Sequence, residues 1–237
     1  MANRKDSIEQ EVTGVLHQPW STRTGIAVPS TDSVALNGGR VDMYATMLYA
    51  DLADSTVIAM ANREASARLF RAYLALCARL IVGRGGEIRS FDGDRIMAVF
   101  VGGDSNFRAV SAGMEISWTF ANVLVPLFQS HYPMFVTGGY RLGQAVGIDC
   151  GEVSVVRGGI RAYNDLVWIG RAPNVAAKLS NIREGQYSVF VSEEVFQTLP
   201  PQLLYAPNTP QVIWDILRPA GVPLPHVICT RWWLPLI

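Results

Sequence analysis

An α+β fold, with helices packed on an antiparallel sheet, is predicted by three features of the sequence. The run DMYATMLYADL (42–52) is β-friendly and ends at acidic residues, as a buried strand does on reaching a sheet edge. EIRSFDGDRIMAVF (87–100) places two β-like runs around Asp92-Gly93, a dipeptide favoured in tight hairpins because both central positions take positive φ. Between and after them, apolar residues recur at helical spacing. The resulting order, β-α-α-β-β-α-β rather than strict βαβα, is that of a ferredoxin-like sandwich.

Residues 1–39 are low in periodicity, with Pro19, Gly25, Pro29 and Gly38-Gly39, and read as an N-terminal arm used in oligomer contacts. The ordered core starts at Val41. A helix follows the first strand: Asn62 can cap it, Ala65, Leu69, Tyr73, Leu76 and Leu80 line one face, and Glu64 pairs with Arg68. Gly83, Gly85 and Gly86 end it. A second helix over 105–129 carries Ala109, Ala112, Ile116, Phe120 and Leu124. RLGQAVGIDCGEVSVV (141–156) reads as strand, turn and strand. DLVWIG (165–170) is a short strand, GRAPNVAAKLSNI (170–182) a helix, YSVFVS (187–192) a strand and EEVFQTL (193–199) a short helix. The tail from Pro200 is proline-rich, with WDILRP and ICTRWWLP as edge strands. One domain, 40–200, thus lies between the arm and a C-terminal extension, 201–237.

Composition narrows the classes of function. Hydrophobic residues make up 49% and charged residues 17% of 237, which marks an ordered globular chain. Twenty basic and twenty acidic residues cancel, so nothing electrostatic points to nucleic acid or an anionic membrane as partner. Cys77, Cys150 and Cys229 are odd in number and widely spaced, which disfavours a disulfide framework or zinc knuckle and suits a reducing cytoplasm. His17, His131 and His226 are scattered. No apolar run is long enough to span a bilayer, and the start, MANRKDSIEQE, is unlike a signal peptide. A soluble, cytoplasmic protein is expected.

Two pairs of residues could carry chemistry. Asp51 ends the opening strand and Asp94 follows the hairpin turn. If the hairpin lies beside that strand, two carboxylates face each other at one edge and call for a cation between them, with Mg²⁺ or Mn²⁺ suited to such hard oxygens. On spacing alone, the plainer reading of each as a turn residue is favoured. Asn174 and Lys178, four apart, project from one helical face and could orient a sugar and neutralise phosphate. A solvated face is the plainer reading there.

Four blocks then occur in register: YADLADST (49–56), GGEIRSFDGDRIMAVF (85–100), AVGIDCGEV (145–153) and LVWIGRAPNVAAKLS (166–180). In order and separation they resemble the class III adenylate/guanylate cyclase catalytic domain, over roughly 41–200. No GxxxxGK is present, which disfavours a P-loop enzyme. The resemblance implies that Asp51 and Asp94 bind two divalent cations, Mn²⁺ or Mg²⁺, with the Leu52 carbonyl as a further ligand. It implies that Asn174 positions the ribose. Lys178 stands where the family usually has arginine; it keeps the charge but loses the planar fork. Family active sites form between two chains, so a homodimer with two interface sites is expected.

Base selection departs from the family. Ser90 and Val167 occupy the positions where adenine-specific members carry a lysine and an Asp or Thr, and Ser90 is not the glutamate of guanine readers. An absent partner costs roughly 1–3 kcal/mol, so a purine is disfavoured. Tyr49 replaces the common Phe; its phenol could stack on or bond a smaller base, or be a core tyrosine, with equal weight. Tyr49, Lys178 and the altered reading positions are similar to the pyrimidine cyclases of bacterial anti-phage (Pycsar) systems. That similarity implies UTP, or else CTP, as substrate and a cyclic product that activates a separate effector. The rival readings are a purine cyclase with an unusual pocket and a silent nucleotide-binding module. Ala145 stands where the family has a phosphate-binding arginine, and the family's late lysine has no clear match. Arg95, Arg141, Arg171 and Arg218 are the candidate substitutes.

Overall fold

The computed structural model describes residues 3–184 and 186–236. At its centre, β2 (Gly39–Leu52) pairs with β5 (Gln144–Ile160) in unbroken antiparallel register from Arg40 opposite Val156 to Leu52 opposite Gln144. On its other side β2 pairs with β4 (Arg95–Phe100), and β4 with β3 (Glu87–Asp92), both antiparallel. The sheet is completed by β1 (Ser21–Thr24), β6 (Tyr163–Gly170), β7 (Val189–Val191), β8 (Asp215–Leu217) and β9 (Val227–Thr230). It is mixed rather than purely antiparallel: β1 runs parallel to β2, and β7 parallel to β5.

Alternation along β2 separates two layers. Leu48, Ala50 and Leu52 face the main core with α3 (Arg63–Gly83) and α4 (Ser105–Thr119), whose Leu69, Tyr73, Ala109, Ala112 and Ile116 are fully buried. Met43, Ala45 and Met47 face the opposite side, where Ala172 and Ala176 of α7 (Arg171–Leu179) pack. Gly147 seats α7. A Cβ there would lie 2.2 Å from the Ala176 carbonyl oxygen and 2.4 Å from the Ser180 nitrogen, so only glycine lets helix and strand backbones come this close.

Several sequence expectations hold in detail. Asn62 caps α3, its side chain accepting from the Ala65 N–H at 2.9 Å. The helix expected over 105–129 is α4, a π-helical turn at Phe120–Leu124, then α5 (Val125–His131), with α6 (Met134–Thr137) beyond.

Others differ. The hairpin turn is centred on Gly93-Asp94, since Asp92 pairs with Arg95, and only Gly93 has positive φ, +61°. No turn interrupts 141–156. Gly151 stays in the ladder opposite Ala45, because β2 is long enough to pair the whole of β5. The arm contains α1 (Arg4–His17), capped by Asn3, with no buried residue, and α2 (Ser55–Ala61) precedes α3. After β7 the short helix expected over 193–199 is present as α8 (Glu193–Phe196), and α9 (Pro201–Leu204) follows it. Residues beyond 201 are woven into the sheet: β9 pairs with β7, β8 with β9, and Ile213 and Trp214 enter the main core. Among the described residues no helix is long and apolar enough to cross a membrane.

Candidate active site

Strand register draws the predicted residues into two neighbouring rows. Asp92, Arg95, Asp51 and Ala145 stand side by side across β3, β4, β2 and β5; two residues along, Ser90, Met97, Tyr49 and Gly147 do the same. Directly opposed residues share a face, so Tyr49 and Asp51 look out on the α7 side of the sheet. Asp94 immediately precedes the cross-strand partner of Asp51. The two carboxylates, forty-three positions apart in sequence, are therefore brought to one edge.

Their surroundings are cationic and partly dry. Asp51 is buried, and its Oδ2 accepts from Arg95 Nη2 and Arg183 Nη2, each at 3.1 Å. Arg183 Nη2 also donates to the Leu52 carbonyl at 3.1 Å. Asp94 Oδ2 is buried with no hydrogen-bond partner among the described residues. Burial pushes the Asp94 carboxyl above its ordinary pKa, the Asp51 charge adds to this, and the Ser55 hydroxyl and Arg95 work against it.

These residues fit a divalent cation. The donors are all hard oxygens, one of them an orphaned buried atom, and a guanidinium nitrogen already sits between the other two. Among the described residues no three His, Cys, Asp or Glu side chains gather into a metal cluster. Two carboxylates and one carbonyl leave much of a six-fold shell to water and phosphate oxygens, the usual habit of Mg²⁺.

The remaining predicted residues lie elsewhere in the chain. Asn174 and Lys178 are exposed on α7. Asn174 Nδ2 donates to the Gly170 carbonyl at 3.0 Å, and among the described contacts neither residue bonds Asp51 or Asp94. Val167 is exposed on β6 opposite Val156, nine residues along β5 from Gly147, hence about 30 Å from the Tyr49 row by strand rise. Ser90 is exposed at the outer end of that row. Tyr49 is half-buried, and burial raises its phenol pKa while Arg95 pulls the other way.

Of the four candidate phosphate arginines, Arg95 is held by Asp51 and Asn181, and Arg171 by a two-pronged pair with Glu194 at 2.6 and 2.9 Å. Arg141 and Arg218 are exposed. A second arginine that reaches Asp51, Arg183, was not among them. Its position just past the end of α7, where a cation can bond terminal carbonyls, was the available signal.

Comparison with known proteins agrees with this fold. The crystal structure of the guanylyl cyclase Cya2 superposes with a TM-score of 0.61 at 23% identity, covering 80% of this chain and 91% of that one. The adenylyl cyclase CyaB from P. aeruginosa gives 0.60 at 19% identity, covering 81% and 94%. The fold is that of a class III nucleotide cyclase domain. A uridylate cyclase from Rhodovulum sp. (strain MB263) is 41% identical over 192 residues, 81% of this chain and 80% of that protein. Another, from Xanthomonas perforans, is 35% identical over 197 residues, covering 82% and 83%. The chain belongs to the uridylate cyclase family, whose members are phosphorus–oxygen lyases. No protein-family model matches the sequence.

Proposed function

We propose that the protein closes UTP into 3′,5′-cyclic UMP with release of pyrophosphate, CTP being the next substrate. The observation that carries this reading is the placement of Tyr49. Its half-buried phenol lies two residues from Asp51 on the same face, in a row with Ser90 that offers neither the lysine nor the glutamate of a purine reader. The relatives named uridylate cyclase support it.

Asp51, Asp94 and the Leu52 carbonyl would hold two divalent cations, Mg²⁺ or Mn²⁺, which acidify the ribose 3′-hydroxyl and neutralise the phosphates. Asn174 orients the ribose. Lys178 offsets the charge gathering on the α-phosphate as the O3′–Pα bond forms and the bond to pyrophosphate breaks. Both lie exposed and out of contact with their own chain's Asp51 and Asp94, so a second copy supplies them, with Val167 seven residues before Asn174. The working unit is then a homodimer with two interface sites. Buried, unpaired Cys77, Cys150 and Cys229 accord with a reducing cytoplasm. An anti-phage role, with the cyclic product activating a separate effector, rests on the likeness of Tyr49 and Lys178 to the Pycsar enzymes.

The test is incubation of the protein with each of the four triphosphates and Mn²⁺. Cyclic UMP as the main product is expected. A cyclic purine nucleotide as main product would replace the reading with a purine cyclase, and binding without pyrophosphate release with a silent module.

A further inference from the structure

Arg183 stands where a bound ion would. One nitrogen, Nη2, is 3.1 Å from Asp51 Oδ2 and 3.1 Å from the Leu52 carbonyl, two of the three oxygens assigned above to the metals. An ion held by both oxygens would sit about 2.0–2.2 Å from each, in the gap that this nitrogen fills. The guanidinium and a divalent ion are both cations, so the two compete for the same place. Arg95 does not duplicate this arrangement. It shares Asp51 Oδ2 but turns to Asn181 instead of Leu52, and it is fixed in β4.

The tether of Arg183 permits release. It lies beyond the end of α7 and outside any strand, and its side chain is 34% exposed. Among the described contacts, its other terminal nitrogen, Nη1, bonds the nearby carbonyls of Ser180 at 2.6 Å and Ile182 at 3.0 Å. It also lines a cavity of about 260 Å³ with Lys178 and Glu184, space into which the displaced guanidinium can move.

We propose that Arg183 is a built-in cation that holds the Asp51–Leu52 pair in a metal-ready geometry and is exchanged for the divalent ion when that ion binds. This rests on the metal reading given under the proposed function. The exchange makes metal binding weaker than the bare oxygens would allow.

The test is Mn²⁺ binding to the full chain without nucleotide, followed by the loss of the free-ion electron paramagnetic resonance signal, with folding checked by circular dichroism. Relative to the parent protein, R183Q is expected to bind Mn²⁺ about tenfold more tightly. R183K, which keeps the charge but not the fork, should fall between. Unchanged or weaker binding in a folded R183Q overturns the exchange. D51N separates the two ideas. If D51N abolishes binding while R183Q matches the parent, the metal site stands and the exchange falls. If D51N binds Mn²⁺ as the parent does, both fall together.

Discussion

Arg171 Nε stands 3.8 Å from Oδ2 of Asp149, a carboxylate with no solvent exposure and no full hydrogen bond to either oxygen. Desolvation raises the Asp149 pKa, with the Ser192 hydroxyl and Arg171 opposing. A carboxyl whose pKa is raised in the folded state costs stability once ionised. The penalty is absent below the ordinary value near 3.8 and complete above the raised one. Asp149→Asn should therefore raise Tm at neutral pH, with the gain shrinking as pH falls toward that lower value. Thermal melts of both proteins across this range check it, and a variant less stable at neutral pH would refute it.

Gly147→Ala should cost about 1–3 kcal/mol. The new methyl group would meet the backbone of Ala176 and Ser180 as well as Cβ of Leu179, and backbone yields less readily than the end of a flexible side chain. Since α7 carries Asn174 and Lys178, product formation should fall even where the protein still folds. Urea unfolding and a pyrophosphate assay at the same temperature separate the two losses.

Tyr49→Phe removes one oxygen and leaves the ring. A phenol is protonated at neutral pH, and burial moves its pKa further up, so it is available as a donor. If it bonds the base, kcat/KM for UTP should fall about tenfold while the fold is unaffected. An unchanged ratio of UTP to CTP turnover would mean that the ring merely stacks.

Asp51→Asn and Lys178→Ala should each abolish cyclic product without unfolding the chain, for Lys178 by about a hundredfold or more. Mixed dimers of the two variants should regain activity, because one of their two clefts then has both halves intact. No recovery on coexpression would place both halves within a single chain.

Much of this was legible in the sequence because burial leaves a period. The alternation in β2 and the helical spacing of Leu69, Tyr73, Ala109 and Ile116 report faces pressed against a core. Helix α1 left no such trace, since none of its residues is buried. α2 is only seven residues long and starts after Asp54, which has a left-handed φ of +54°. The continuity of β5 depends on a partner strand a hundred residues earlier, which no local rule at Gly151 can register. The two aspartates were legible through their place beside a strand end and a hairpin. Arg183 was not, because its contact with Asp51 spans 132 positions and follows from how α7 is seated.

The row from Ser90 to Gly147 has unequal ends. Ser90 sits on an outer strand in open solvent, whereas Gly147 is clamped beneath a helix that tolerates no added atom. A replacement at Ser90 therefore meets mostly solvent, whereas one at Gly147 has to shift a helix. Sequence change along this row should be cheap at its periphery and costly at its pivot.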